Sequence, residues 1–543
     1  MASVFWLSIF AFLLSLFVLI AFHWLATNNG SSNRAKIWRS LPYVGVPPNG
    51  PFRWTLGAFR TMITSINDVS EGYTKFCKRL DLPFLLPSTG FGSIVVLPRS
   101  KLDLLNKPES QVVAFGVQLE QIQGSYLFND KRLFDRKIHL DVVRNQLTKR
   151  LDLLAGPIAD ELDEAFRDYW GVDSEKWTTV NIWDTCGLIT ARAMSRVFIG
   201  LPLCRNERLL KQMQLFSTHV FLGGLILNTI PTFLRPILGP FISIPAKYYL
   251  SVCRRTLTPF VDETLRKRNT GERNGSQPDV LLWLIEKSEK GPIEDLDPDI
   301  IVQRLLILSL MSFFAPALVL SNCLLDLLAS ESKDEFISTI RHECEYVAQK
   351  YHGLSRKEAI DSLCHTDSAI KETLRVSDFW ILSLEREVAM SEGLDIGNNF
   401  RIPAGTRMAV PSSAIHRDAD IYKDPFRYNA FRFSEKDECS GENIFNGAEK
   451  ELSTSTSNSF LAYGFGKNTC PGRHFASLLM KQALAYIIQN YEIECVGAVR
   501  DKRYAFNVMI PRQEVRISVR RRKEFLGDLG GLSPLKGVER QTA

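Results

Sequence analysis

The chain has 543 residues, 45% hydrophobic and 23% charged, which is a globular composition long enough for a large core. The net charge of +6, from 66 Lys and Arg against 60 Asp and Glu, calls for no nucleic-acid partner. Ten scattered cysteines with no CxxC pair exclude the common zinc and thioredoxin-like patterns and suit a reducing compartment.

The first element runs from Val4 to Ala26, VFWLSIFAFLLSLFVLIAFHWLA, without an Asp, Glu, Lys or Arg. As a helix it would span roughly 34 Å, enough to cross a bilayer. A cleaved signal peptide would have a shorter apolar region and a basic leading end. Here no basic residue precedes the run, and Arg34, Lys36 and Arg39 follow it. The positive-inside rule then leaves the N-terminus outside and the body in the cytosol. Residues 1–26 are read as a membrane anchor, and residues 27–51, polar and then rich in Pro42, Pro47, Pro48 and Pro51, as a hinge.

Asp141 to Phe166 has helical spacing with an expected break at Gly156-Pro157, and Arg266 to Pro298 is charged and reads as a surface connection. Leu305 to Leu325, LLILSLMSFFAPALVLSNCLL, carries no charge for 21 residues. Hydropathy alone permits either a second span or a helix buried on all sides. Glu438 to Asn458 reads as a loop. The short basic run Arg520 to Lys523 reads as a solvated strand end or tail, and residues 521–543 as a basic, disordered tail.

Near the C-terminus stands YGFGKNTCPGRHFA. Gly464, Gly466 and Gly472 let backbone approach a bulky flat object, and Pro471 stiffens the turn. Phe475, Leu478, Leu479, Ala483, Tyr486 and Ile487 then repeat near 3.6, placing Cys470 just before a helix N-terminus whose positive end would favour a thiolate. Such a thiolate suits axial iron ligation. A phosphate loop fails because Leu461 stands where the pattern wants Gly, and GxGxxG fails at Thr469. A cysteine nucleophile with His474 as base stays open, without a third member.

The stretch resembles the heme-binding loop of cytochrome P450 enzymes, with Tyr463, Gly466, Cys470 and Gly472 in the pattern's places. Three further signatures stand upstream in order. Lys371-Glu372-Thr373-Leu374-Arg375 looks like the family's ExxR helix. Asp424-Pro425 with Phe431-Arg432-Phe433 resembles the segment whose Arg completes that pair. His139-Leu140-Asp141-Val142-Val143-Arg144 resembles the helix whose Arg meets a heme propionate. The resemblance covers about Leu41 to Arg520 and is closest to fungal microsomal enzymes of secondary metabolism. It implies a mainly α fold with a minor β region, as one heme-thiolate catalytic domain over 52–520 behind the single transmembrane helix.

The resemblance also implies heme b with Cys470 as axial iron ligand, propionate contacts from Arg144, His139 and Arg386, and a further contact from Lys467 or Asn468. Glu372, Arg375 and Arg432 would form a structural ion-pair set. It makes the Leu305–Leu325 run a buried central helix across the heme. Met311, Phe313, Phe314, Leu318, Trp380 and Ile381 would line the substrate pocket, and Phe221 to Phe233 would form a lid dipping into the membrane surface. The oxygen-activation position departs from the family. There Phe314, Ala315 and Pro316 replace the usual acid or His followed by Thr-Thr, with Ser312 nearby, and Pro316 removes an amide and bends the helix. The implied activity is oxidation of a lipophilic terpenoid- or polyketide-like scaffold by hydroxylation, epoxidation or desaturation. It would use O2 and NADPH-derived electrons from a separate flavoprotein reductase, with cytochrome b5 as a further donor, at the endoplasmic reticulum membrane. Two alternatives are a heme-thiolate isomerase or dehydratase that needs no electrons, and a non-catalytic membrane heme-binding protein.

Overall fold

The computed structural model describes residues 40–523 except 51, 91, 129, 131, 231–233, 271–278, 398–399, 435–451 and 500, and not the side chain of Met311. The expected membrane anchor, the last 20 residues and most of the Glu438–Asn458 loop lie outside the described residues.

Helices dominate. The longest, Pro298–Leu328, begins with two N-terminal signals: Pro298 in its first turn, and Asp297, whose carboxylate accepts from the Asp299 amide at 3.0 Å. Its apolar composition is explained by burial, since helices Ile182–Phe198, Glu207–Thr229, Ile244–Asn269 and Cys364–Val376 pack around it. It runs unbroken through Pro316.

Two sequence expectations are corrected here. Helix Leu151–Trp170 contains Gly156-Pro157 without a break. Its Leu151, Leu154, Ile158, Leu162 and Phe166 stripe is buried in the main core, and that packing outweighs one lost amide bond. The irregularity comes earlier, as a π turn at Val143–Leu147 and a 3-10 turn at Thr148–Arg150. The supposed surface connection contains helix Val280–Ser288, whose Val280, Leu281, Trp283, Leu284 and Ile285 are core residues. Asp279 caps it, accepting from the Leu282 amide at 2.8 Å.

The β part is small. One sheet has five strands, in the order Phe84–Ser88, Gly92–Val96, Arg407–Val410, Ser383–Val388, Val112–Val113. Only the Gly92–Val96 and Arg407–Val410 pair is parallel. A three-stranded sheet joins Thr178–Asn181, Arg516–Arg521 and Tyr491–Cys495. The basic run at its end is paired rather than solvated. Arg520 meets the Glu492 carboxylate at 2.9 Å, Arg521 donates to the Tyr486 hydroxyl at 2.9 Å, and Arg522 to the Gln489 carbonyl at 2.9 Å. None of the nine described cysteines forms a disulfide.

Candidate functional site

The segment from Leu461 to Cys470 is a loop closed by its own backbone. The Cys470 amide donates to the Tyr463 carbonyl at 2.8 Å, and the Gly464 amide to the Leu461 carbonyl at 2.9 Å. Gly464 and Gly466 have φ of +84° and +63°, a region that penalises any residue with a Cβ. At Gly466 a Cβ would also stand 2.3 Å from Asn106 Oδ1. At Gly472 it would meet nothing within 4 Å, so that glycine leaves one side of the cysteine open. Helix Arg473–Asn490 follows, and Arg473 ties back to the Cys470 carbonyl at 3.0 Å and the Thr454 carbonyl at 3.1 Å.

Cys470 is accessible, yet surrounding protein pushes its thiol up; the amides of Gly472 and Arg473 and the Arg473 charge only partly oppose this. The amides at the helix start and the Arg473 charge favour the thiolate, as expected, while burial opposes them; a bound metal cation would hold the sulfur as an anion. Cys470 and His474 share no hydrogen bond, which leaves the nucleophile reading without its base.

Several buried polar groups lack partners among the described residues. Arg386 lies on strand Ser383–Val388 and is 2% exposed. Its Nη1 donates to the Glu385 carbonyl at 2.8 Å and its Nε weakly to the Leu105 carbonyl at 3.4 Å, but Nη2 has no acceptor. Burial pulls its guanidinium down to about 10. The buried His139 has an unpartnered Nδ1; burial, then Arg304 and Lys137, pull it down to about 4. The Tyr463 hydroxyl is also buried without a partner. Leu384 and Asn106 stand against Gly464 and Gly466, which brings the Arg386 strand beside the loop. Thr148 donates to the Pro471 carbonyl at 3.2 Å, which brings the segment carrying His139 and Arg144 there too.

Arg144 is exposed, and Lys467 is committed to the Lys107 carbonyl at 2.5 Å, while Asn468 is half-buried beside it. A buried guanidinium and a buried imidazole, each short of a partner, suit a group that brings its own carboxylates. With the accessible sulfur and the glycine-bent loop, these residues fit a heme.

In the Glu-Arg set Glu372 and Arg375 are fully buried and Arg432 is partly buried. Glu372 binds Arg375 through two contacts of 2.7 and 2.8 Å, and both its oxygens also accept from Arg432 Nε at 3.0 Å. Arg375 further donates to the carbonyls of His416 at 2.6 Å and Pro425 at 2.7 Å. Satisfied on every side, this is a clamp rather than a surface pair.

On the central helix, Ser312, Phe314 and Ala315 are half-buried, while Phe313 and Leu318 are packed in the core. Ile381 is likewise buried, whereas Trp380 is partly open. Three of the expected pocket residues thus belong to the core. The Phe314 ring meets three others, Trp183 at 5.3 Å, Phe221 at 5.3 Å and Phe379 at 5.7 Å, and Phe379 meets Trp380 at 4.7 Å. Sequence reading missed Trp183, which no local pattern marks. It also placed Phe221 in a membrane-dipping lid, whereas its ring packs inward.

A mainly helical body with a small sheet, holding a cysteine in a glycine-bent loop beside a strand whose buried arginine keeps one nitrogen without an acceptor, defines a heme-thiolate protein. The sequence profile of the Cytochrome P450 family matches residues 125–519. Cytochrome P450 monooxygenase htyF of Aspergillus rugulosus is 36% identical over 87% of this chain and 71% of its own. Cytochrome P450 monooxygenase gloP of Glarea lozoyensis is 32% identical over 94% and 95%, and okaG of Penicillium ochrochloron 31% identical over 81% and 87%. The chain belongs to the cytochrome P450 family, whose members are monooxygenases that use heme iron, O2 and a separate redox partner.

Proposed function

We propose that this protein inserts oxygen into, or desaturates, a lipophilic secondary-metabolite scaffold of terpenoid or polyketide type. The observation that carries the reading is the Cys470 loop packed against the strand that holds Arg386, whose buried Nη2 has no acceptor of its own. Cys470 Sγ would hold the iron, and Arg386 and His139 would take the carboxylates. When bound, the heme supplies the site at which O2 is reduced: with two electrons and two protons, one oxygen enters the substrate and the other leaves as water. The electrons come from NADPH through a flavoprotein reductase, with cytochrome b5 as a further donor.

The chain's own part is to shape and dry the pocket. Phe314, Phe221, Phe379 and Trp183 supply an aromatic wall, and Ala315 leaves room beside it. Apolar walls select lipophilic substrates and exclude water. The membrane reading is part of the proposal: Val4 to Ala26 anchors the chain in the endoplasmic reticulum, with the body cytosolic. Exposed Ile237, Leu238, Phe241, Ile244 and Tyr248 support contact with a bilayer.

A redox-neutral rearrangement is the second reading, favoured by one observation. Phe314 is locked among three rings, and neither it nor Ala315 offers a proton-carrying group. The test is accurate-mass comparison of extracts from a host carrying this chain with a reductase and candidate precursors, against a Cys470→Ala control. A product heavier by one oxygen or lighter by two hydrogens is expected. A Cys470-dependent product of unchanged mass would make rearrangement the reaction.

A further inference from the structure

The hydrogen bonds around the cysteine loop converge on a residue of no recognised motif, His416. Its ring is fully buried and stacks on Phe460 at 5.4 Å. Its Nε2 accepts from the Leu461 amide at 2.8 Å. A backbone N–H only donates, so Nε2 carries no proton and the ring proton sits on Nδ1. Nδ1 faces Asp378, which is itself buried and whose second oxygen accepts from Arg417 at 2.8 Å. This carboxylate–imidazole order fixes both the ring's tautomer and its aim, as the outer partner of a metal-bound histidine does. Here the imidazole is aimed at a loop amide instead of a metal.

The same residue reaches the Glu-Arg clamp. Its carbonyl accepts from Arg375 Nη1 at 2.6 Å. Leu461, held by the ring, accepts in turn from the Gly464 amide at 2.9 Å, and Tyr463 accepts from the Cys470 amide at 2.8 Å. A continuous path therefore runs from Glu372 and Arg375 through His416 to Leu461, Gly464 and the cysteine. The path enters the loop two residues before Tyr463, where the chain turns into the left-handed Gly464.

We propose that His416 is the positioning residue that transmits the Glu372–Arg375 clamp to the cysteine loop, fixing the Cys470 sulfur for iron ligation. Asp378 is its orienter. The inference rests on Cys470 being the iron ligand. It explains why the clamp is buried and fully satisfied though none of its side chains touches the cysteine: its output is the geometry of the loop.

The test separates the ring's two bonds. His416→Gln can place an amide oxygen near the Nε2 position and keep an acceptor for the Leu461 amide; His416→Asn is shorter, keeps a donor toward Asp378 and loses that acceptor. Both are purified as the full chain loaded with heme. The ratio of thiolate-type to thiol-type Soret band is read in the ferrous carbonyl complex, together with the melting temperature of each variant. Asn is expected to raise the thiol-type fraction roughly tenfold over wild type, the ratio matching one stranded buried amide, while Gln stays near wild type. Asp378→Asn tests the orienter without touching the ring: a neutral amide oxygen holds the Nδ1 proton less firmly than a carboxylate, so a smaller ligation defect of the same kind is expected. Equal thiol-type fractions in the Asn and Gln variants, or a wild-type ratio in Asp378→Asn, would overturn the inference. A wild type without any thiolate-type band would instead overturn the heme-thiolate reading itself. If Asn fails to load heme at all, Asp378→Asn decides alone.

Discussion

At Gly466 two independent constraints meet. Its φ of +63° costs any L-residue about 1–2 kcal/mol, and a Cβ would also press on Asn106 Oδ1 at 2.3 Å. Gly464 shares the first constraint, at φ +84°, but its Cβ would find ordinary contacts of 3.5 Å with the Asn468 carbonyl oxygen and Leu384. Gly464→Ala should therefore lower stability by about 1–2 kcal/mol. Gly466→Ala should cost more and lower heme retention as well, since Asn106 has to move. Thermal unfolding of the two variants side by side checks the order; equal losses would mean that the Asn106 contact relaxes freely. These glycines, the cysteine and the Glu372–Arg375 pair were legible because each belongs to a short local pattern. Phe313, Leu318 and Ile381 were not, because a helix or strand buried on all sides gives no sign of which face meets a hollow. Nor was His416 legible, since its partner Leu461 is 45 residues away in the chain.

Among the elements, helix Val280–Ser288 shows how charge misleads. The flanking Lys and Glu residues made its region read as surface, yet the apolar run Val280 to Ile285 is core, and Asp279 is drawn inward as its cap. Burial raises the Asp279 carboxyl to about 7, with the Leu282 amide and then Arg196 opposing. The sign follows from linkage. Between the unfolded value near 4 and about 7, the folded chain holds this proton more tightly than the unfolded chain does. This site's contribution to stability is therefore full below about pH 4 and is lost as pH rises through about 7. Asp279→Asn keeps an oxygen for the Leu282 amide and removes the titration. Its denaturation midpoint should fall less steeply than the wild type's between those values. Parallel curves for the two proteins would show that Asp279 does not titrate in this window. The Gly156-Pro157 expectation failed for a related reason: a local breaking signal of one lost bond is outweighed by a buried stripe running through Phe166.

For the whole molecule, the proposed membrane contact depends on one alternation. In helix Glu207–Thr229, Phe221 turns its ring onto Phe314 while Leu222 and Ile226, four residues apart and so on one face, stand exposed. The exposed row continues through Ile237, Phe241, Ile244 and Tyr248. One helix thus carries both the inner aromatic wall and the start of an outer apolar face. A substrate dissolved in the bilayer would meet the second before the first. If the row touches lipid, the body should bind vesicles even when residues 1–26 are removed. A Phe241→Asp, Ile244→Asp pair should then weaken that binding by well over tenfold, because fully burying such side chains contributes about 1.5–3 kcal/mol each. Vesicle sedimentation reads the binding, and the thiolate-type Soret band of the same preparations shows that the heme site is intact. Undiminished binding by the double variant would place the lipid contact elsewhere. Leu56 and Ile63 on helix Arg53–Gly72, the first long helix after the proposed anchor, would then be the next residues to change. Neither outcome touches the chemistry at Cys470, because the aromatic wall separates the two faces of this route: Phe221 keeps its ring partners whether or not its neighbours leave water.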